Sequence, residues 1–310
     1  MALNAFSTSN AMATATINYV DGLASVPDDW RNIVDYRTDQ SGALRVTSMA
    51  SIGEVASWDG TADLSSTATA AGSAGTKTID IVQFASQVSI SRLNSETIPG
   101  LVGGMAKRMG VAVANTYRKQ VFAGLEAATS TLLTGDGLSF FNAEHTMPGL
   151  TGSAVRSNVL TSALDPAGVA AAVAASRAWK DATGAPYDLS SGGYWLVCPV
   201  ELEEAARAAV ASPFTLTTVV TSGAPAQGLS NMVSQYLTQD DIIVANVGIS
   251  DTNAWFLLPK QGNPLLAWSR LDPLLRQTVD EDTLQIKLTV DFAFAVDCNV
   301  EPIGIFSNPS

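Results

Sequence analysis

A single apolar stripe between Thr97 and Leu125 constrains the fold more than any other feature of the sequence. Apolar residues in TIPGLVGGMAKRMGVAVANTYRKQVFAGL recur at spacings of three and four, which predicts one face of a helix. Thr97 is expected to cap its N terminus, and Pro99 to lie in the first turn. A helix over 97–125 would be about 43 Å long, far longer than the average helix. It therefore needs a packing partner of similar length.

Three glycines interrupt this helix, and each weakens it by roughly 1 kcal/mol relative to alanine. They are Gly103, Gly104 and Gly110. Because glycine has no side chain, we expect another backbone to approach closely at these positions.

The segment DTLQIKLTVDFAFAVDCNVEPIGIF near the other end of the chain supplies a partner of suitable length. Apolar residues occupy every second position from Leu284 to Val296, with Gln285, Lys287, Thr289 and Asp291 between them, which predicts a strand with one buried face. The strand over 283–297 would span about 50 Å. We expect the long helix to pack along it, with the intervening segment 165–271 forming an inserted α/β unit.

Residues 43–57 and 76–91 alternate well enough to predict two strands of a long hairpin, joined by a tip rich in Ala, Ser, Thr and Gly. The hairpin could fold back on its own domain or lie across a neighbouring subunit. The low charge of the tip favours the second arrangement. Residues 1–40 are predicted to be polar and irregular, with a short helix near 28–35 and with Trp30, Ile33 and Val34 as anchors.

Composition limits the classes of function. Hydrophobic residues make up 46% of the chain and charged residues 15%, against about 25% in a typical domain. Such a chain is expected to bury much of its surface against partners. The net charge of −12, with only 17 scattered Lys and Arg, argues against a nucleic-acid-gripping groove. No signal peptide or membrane-spanning run is evident, and Cys198 and Cys298 are expected to be reduced thiols.

The sequence offers little catalytic chemistry. With His145 as the only histidine, a two-histidine metal motif is impossible, and no metal or cofactor is expected. Glu144 and His145 could act as an acid–base pair with Asp136, the basis of an alternative reading as a soluble α/β hydrolase. A structural histidine is the preferred interpretation. The segment GSAGTKT lacks the spacing and context of a phosphate loop.

The order of N-terminal arm, long hairpin, long helix, α/β insertion and long returning strand resembles the Hong Kong 97 type major capsid proteins of tailed phages. SFFNAEHT, with its Asn-x-x-His pattern, YWLVCPVELEEAARAAV, AWFLLP, PLLAWSRLDP and DFAFAVDCN are similar to the Mu-like major head subunit family. The resemblance implies an α+β fold with an N-terminal arm (1–41), an E-loop (42–92), a P-domain (93–155 and 276–310, spine helix 97–125) and an A-domain (156–275).

The resemblance also implies function and partners. The chain would be a non-enzymatic head protein that self-assembles into pentamers and hexamers of an icosahedral shell enclosing double-stranded DNA. Assembly would occur in the host cytoplasm, with a portal, a separate scaffolding protein and a decoration protein as further partners and with no membrane involved. A tail-tube or decoration protein is another alternative. Covalent cross-linking through Lys77, the hairpin's only lysine, is not predicted.

Assembly is expected to be harmed by a bulky residue at Gly104 or Gly110. Six residues on the arm, hairpin and spine are the predicted inter-subunit contacts, assigned at the level of their segments. They are Trp30, Trp58, Lys77, Phe84, Gly104 and Gly110.

Overall fold

The computed structural model of the chain describes residues 4–38, 44–48, 75–79, 81–134, 137–146, 155–179, 192–211, 214–216, 228–230, 232–280, 285–299 and 302–309. The α-helices in these ranges are α1 (Asn4–Ala24), α2 (Arg92–Thr97), α3 (Leu101–Ala127), α4 (Pro166–Arg177) and α5 (Glu203–Ala211). The strands are β1 (Val34–Thr38), β2 (Leu44–Ser48), β3 (Gly75–Ile79), β4 (Val82–Ser91), β5 (His145–Thr146), β6 (Val155–Arg156), β7 (Val159–Leu160), β8 (Tyr194–Pro199), β9 (Phe214–Leu216), β10 (Gly228–Ser230), β11 (Ile242–Ala245), β12 (Trp255–Pro259), β13 (Leu265–Asp280), β14 (Gln285–Cys298) and β15 (Ile305–Ser307). Short 3-10 helices lie at Asp29–Ile33, Val200–Leu202, Met232–Gln235 and Gln239–Asp241.

The longest strands form a four-stranded sheet in the order β1-β13-β14-β4. β13 and β14 are antiparallel from the Leu265–Cys298 pair to the Asp280–Gln285 pair, with register shifts between Ser269 and Leu274. β4 pairs with the other side of β14 in antiparallel fashion, and β1 pairs in parallel with the first five residues of β13. The long returning strand is confirmed as the 14-residue β14.

The predicted spine helix is confirmed as α3, which has 27 residues and packs along β14. The ring of Tyr117 lies 4.9 Å from that of Phe292 and 4.6 Å from that of Phe294. Near the end of the helix, a Cβ added at Gly124 would lie only 2.6 Å from Val296, so helix and strand are in close contact. The apolar alternation of β14 therefore faces the spine helix.

The start of the spine helix differs from the prediction. Thr97 does not cap α3; it ends the short α2, where its hydroxyl donates to the Leu93 carbonyl at 2.7 Å. α3 begins at Leu101 after Gly100, whose φ of +76° is a left-handed turn that favours glycine. Ile98 lies outside the helix and is 47% exposed.

The prediction that residues 1–40 are irregular is wrong for most of that segment. α1 occupies Asn4–Ala24, and its second half packs on α3 where glycines of both helices meet. A Cβ at Gly110 would overlap the Tyr19 carbonyl oxygen, and a Cβ at Gly22 would overlap the Lys107 carbonyl oxygen. Ala15 and Tyr19, four residues apart on α1, are buried in the core, so packing of this face on the rest of the chain stabilises the helix.

The segment after α1 agrees better with expectation. The predicted short helix near 28–35 is the 3-10 helix Asp29–Ile33. The three predicted anchors are all buried in the core of the same chain, with Trp30 3%, Ile33 0% and Val34 3% exposed. β1 then leads this segment into the four-stranded sheet.

A five-stranded sheet in the order β11-β8-β12-β15-β7 forms the α/β unit. Along its central β12, Phe256 and Leu258 join the same core as the spine helix, whereas Trp255 and Leu257 pack with α4 and α5. Because both faces of β12 are buried, AWFLLP is apolar throughout rather than alternating. Asp165 caps α4 as predicted, accepting the Gly168 N–H at 2.6 Å, with Pro166 in the first turn.

Two strands of the structure differ in extent from the strands predicted from the sequence. The strand predicted at 265–271 within the α/β unit is longer, continues to Asp280 as β13 and belongs to the four-stranded sheet. The second hairpin strand, predicted as continuous over 76–91, divides into β3, which pairs with β2, and β4, which joins β14. The hairpin tip lies outside the described residues.

The predicted domain boundaries stay a prediction. β13 crosses the boundary predicted at 275/276, and its pairing with β14 continues on both sides of that position. β15, placed in the P-domain from sequence, lies in the five-stranded sheet between β12 and β7.

Candidate functional site

The lone histidine and its acidic neighbour have the geometry of a structural turn. His145 is 1% exposed, and its Nε2 lies 2.9 Å from the carbonyl oxygen of Phe140. The Glu144 side chain is exposed, while its backbone N–H donates to Asn142 Oδ1 at 2.9 Å. Asp136, the third residue considered, lies outside the described residues. An enclosed imidazole held against a backbone carbonyl does not favour the hydrolase reading.

Asn158 is a second buried polar side chain that binds the Phe140 carbonyl. Its Nδ2 donates to the Phe140 oxygen at 2.7 Å, and its Oδ1 accepts the Asn142 N–H at 2.7 Å. The ring of Phe141, the next residue, lies 5.5 Å from that of Phe256 in β12. The segment that follows the spine helix is thereby fixed to the core. No local pattern could have revealed Asn158, because its partners lie 16 and 18 residues away.

Arg118 joins three parts of the chain. This spine residue is 6% exposed, and its Nε and Nη2 donate to the two carboxylate oxygens of Asp29 at 3.0 and 2.7 Å. Its Nη1 donates to Asn246 Oδ1 at 2.5 Å, and its Nη2 also donates to the Val244 carbonyl at 2.9 Å. Asp29 belongs to the N-terminal segment, and Val244 to β11. A bidentate, buried arginine of this kind fixes orientation as well as distance.

Glu126 makes a second connection two turns further along the spine. One oxygen of its carboxylate accepts the backbone N–H groups of Ser250 and Asp251 at 3.0 and 3.1 Å and the Ser250 hydroxyl at 2.5 Å. Between the two connections, Gly248 has a φ of +93°, and a Cβ there would lie 2.7 Å from the Lys119 carbonyl oxygen. The loop after β11 is therefore held against the spine at three points.

The structure places four of the six predicted contact residues. Trp30 is buried in its own chain and stacks on Tyr117 with centroids 5.9 Å apart. Phe84 is half-buried and stacks on Phe292 at 5.1 Å.

The two spine glycines have opposite surroundings. Gly110 lies against α1 of the same chain, whereas a Cβ at Gly104 would have no heavy atom within 4 Å. Trp58 lies outside the described residues, and only the backbone of Lys77, in β3, is described. The four described residues therefore have different surroundings, and the inter-subunit role of all six stays a prediction.

Several large apolar side chains are exposed on the single chain, and the sequence patterns did not single them out. They lie on α1, at the start of β4, on α2 and along β13: Ile17 69%, Val20 55%, Val82 54%, Leu93 71%, Leu271 39%, Leu274 62% and Val279 42% exposed. Apolar residues exposed singly are ordinary on a protein surface, so these side chains alone do not identify a binding face.

The titratable groups of the α/β unit are arranged for stability. Burial opposes the charged form of Asp241, but hydrogen bonds from Lys260 and Thr238 outweigh it and hold the pKa of that carboxyl below its usual range. The Lys260 Nζ lies 2.6 Å from Asp241 Oδ1 and 4.5 Å from the centre of the Trp195 ring. Burial raises the pKa of the Cys198 thiol to about 12, so this cysteine is an inert core residue.

Neither a metal site nor a membrane-spanning helix is present in the described part of the chain. No group of three or more His, Cys, Asp and Glu there could hold a metal ion. No helix there is both long and apolar enough to cross a bilayer. Cys198 and Cys298 are both buried and free rather than joined in a disulfide.

Comparisons with known proteins point to one class. A family model described as phage capsid protein matches residues 73–308. A comparison with curated protein sequences finds no match.

Solved structures share the fold at low identity. The capsid of Ralstonia phage GP4 has a TM-score of 0.57 at 12% identity, covering 90% of this chain and 87% of that chain. The capsid of a native GTA particle has a TM-score of 0.56 at 14% identity, covering 91% of each. The procapsid of bacteriophage JBD30 has a TM-score of 0.54 at 14% identity, covering 98% of this chain and 75% of that chain. The predicted Hong Kong 97 type fold is confirmed, and the chain belongs to the phage capsid protein family.

Proposed function

We propose that the chain is the major head subunit of a tailed phage and assembles into pentamers and hexamers of an icosahedral shell around double-stranded DNA. The family match supports this reading. The observation that carries it is the extended plate formed by the 27-residue α3 along the 14-residue β14, with β13 and β4 beside it. Such a plate offers long edges for neighbouring subunits and no catalytic constellation.

Internal rigidity supports the same proposal. A shell of fixed curvature needs subunits in which the angle between the plate and the α/β unit is reproducible. Arg118 and Glu126 hold the end of β11 and the loop after it against the spine helix, and Gly248 keeps the two backbones in contact. Because Arg118 also binds Asp29, the N-terminal segment is fixed to this same contact between the spine helix and the α/β unit.

The hairpin over 42–92 is the proposed arm toward a neighbouring subunit. Phe84, and within the hairpin Trp58 and Lys77, are the proposed contact residues there. On the spine, Gly104 has open space around it and suits a contact from another chain, whereas the surroundings of Trp30 and Gly110 support packing within the subunit.

The remaining partners follow from the same role. The net charge of −12 favours a shell lining along which packaged DNA slides without adhering. A portal, a separate scaffolding protein and a decoration protein are the proposed further partners, with assembly in the host cytoplasm and location in the virion. The Asn142-x-x-His145 turn supports a closer relationship to Mu-like head subunits.

Light scattering and negative-stain microscopy of the purified chain test the proposal. We expect capsomer rings or closed shells, with or without added crowding agent. A stable 32.3 kDa monomer under all conditions would refute it. Duplex DNA titrated against the subunit should show no tight, salt-sensitive binding; if it did, the proposed non-adhesive lining would be wrong while the assembly result stood.

A further inference from the structure

We propose that β4 of one subunit pairs, antiparallel and across a two-fold axis, with β4 of a second copy of the chain. This inference rests on the proposed self-assembly and adds a specific contact to it. The pairing would join two four-stranded sheets into one continuous sheet between subunits.

β4 is a long strand at the edge of the sheet that the described residues form. Among the described residues it pairs with β14 alone, over its whole length from Val82 to Ser91, and it ends the sheet order. Its sequence, VQFASQVSIS, contains no charged residue and no proline. An exposed edge with neither device is a template for strand addition.

The opposite side of the same sheet provides an internal comparison. β1 covers only the first five residues of β13, so the stretch 270–280 is also an edge. That stretch carries Pro273, a bulge between Ser269 and Leu274, and the charged residues Arg270, Asp272, Arg276 and Asp280. These are the usual means of preventing strand addition. One edge of the sheet is thus protected, and within the described part of the chain the β4 edge has none of these features.

The two faces of β4 are equally informative. Phe84, Val88 and Ile90 turn toward the core, and Phe84 stacks on Phe292. Gln83, Ala85, Gln87 and Ser89 on the other face are exposed, polar or small, and uncharged. A strand added at this edge would therefore continue an existing apolar face on one side and meet a neutral polar face on the other.

The sequence of β4 is complementary to itself in one antiparallel register. With Ser86 opposite Ser86 of the second copy, Val82 lies opposite Ile90 and Phe84 opposite Val88. Directly opposed residues share a face and form the stabilising side-chain pairs of a sheet, so all four apolar residues find apolar partners. A contact in which residue i meets j and j meets i is the pattern of a two-fold interface. Self-complementarity therefore identifies a second copy of β4 as the occupant.

Cysteine cross-linking tests the register. In Ser86→Cys the two sulfurs face each other across the axis, at a Cα separation of about 4.5–5.5 Å that a disulfide can span. In the control Ser89→Cys, the two residues 89 lie about 20 Å apart, because each is opposite Gln83. The native Cys198 and Cys298 are fully buried and do not compete.

After assembly and mild oxidation, we expect most Ser86→Cys protein to run as a covalent dimer on a non-reducing gel, with at least fivefold less dimer for Ser89→Cys. Absence of the Ser86→Cys dimer, or equal dimer from both variants, would overturn the inference. If the wild-type chain forms shells but Ser86→Cys gives no dimer, the inference fails alone. If no shells form yet the dimer appears, the proposed head function fails and the strand pairing stands.

A charge test requires no oxidation. Ser86→Glu would place two carboxylates opposite each other at the axis, whereas Thr278→Glu adds the same charge to the protected β13 edge, beside Lys287. We expect Ser86→Glu to lower the assembled fraction at least tenfold and Thr278→Glu to leave it unchanged, with both subunits unfolding at the wild-type temperature. Wild-type assembly of Ser86→Glu would contradict the proposed pairing.

Discussion

The close approach of α1 to α3 predicts opposite effects for the same substitution at two glycines of one helix. At Gly110, a Cβ would overlap the Tyr19 carbonyl oxygen and lie 2.9 Å from the Leu23 nitrogen. Both contacts are to backbone, so no change of side-chain rotamer can relieve them and α1 itself must move. At Gly104, a Cβ would meet no heavy atom within 4 Å.

The magnitude follows from two opposing terms. Replacing glycine by alanine inside a helix stabilises it by up to about 1 kcal/mol, and overpacking a well-packed contact costs about 1–3 kcal/mol. Gly104→Ala gains only the first term. Gly110→Ala carries both, so it is expected to destabilise by up to about 2 kcal/mol. Because the first term largely cancels between the variants, their difference isolates a packing cost of about 1–3 kcal/mol.

Urea unfolding of the unassembled subunit, followed by circular dichroism, measures this difference, and hydrogen exchange locates it. Amide protons of α1 should exchange faster in Gly110→Ala than in Gly104→Ala or the wild type. Equal unfolding free energies and equal exchange in α1 would refute the close helix contact. The expectation from sequence was that bulky residues at both positions harm assembly; the structure separates Gly110, which acts within the subunit, from Gly104.

Two further predictions concern buried charge. Arg118→Lys cannot reproduce the two parallel hydrogen bonds to its carboxylate partner, so the unfolding free energy measured in urea should fall by about 1–3 kcal/mol. The exposed control Arg37→Lys should change the unfolding free energy by less than about 1 kcal/mol. Equal losses in the two variants would contradict this prediction. The depressed pKa of Asp241, held by Lys260, gives stability that is present above its ordinary value of 3.8 and is lost as pH falls through the lower folded pKa. The stability difference between wild type and Asp241→Asn should therefore narrow below about pH 4, and a constant difference from pH 7 to pH 3 would show that the carboxylate charge contributes nothing.

The elements that sequence patterns located correctly are those with one continuous buried face. β14 alternates because one side lies on the spine helix, and α3 carries its stripe because one side lies on the sheet. α4 was placed by its cap, a local signal between Asp165 and Gly168. In each case the physical cause of the structure lies within a few residues of the chain.

The elements that were missed depend on distant partners. The buried residues of the second half of α1 include only one large side chain, Tyr19, and the packing of this helix on α3 brings together Gly22 and Gly110, 88 positions apart in the sequence. The second half of β13 is mostly exposed and polar, so only its pairing with β14 identifies it as a strand. Arg118 and Asn158 were not recognised for the same reason, because their hydrogen-bond partners come from other segments.

The distribution of charge explains how one subunit can be rigid inside and adhesive at its edge. Because only 15% of the residues are charged, few charged side chains are available to keep exposed strand edges from pairing with other chains. Arg118 and Glu126 lie at the contact between the spine helix and the α/β unit. Arg270, Arg276 and Asp280 lie on the β13 edge. The β4 edge receives none. Ten neutral residues in a row are not unusual in so charge-poor a chain, so the informative feature is the contrast between the charged, bulged β13 edge and the β4 edge, which has no charge. Its absence there is what an assembling subunit requires, since strand addition needs a bare edge at one place and protected edges elsewhere.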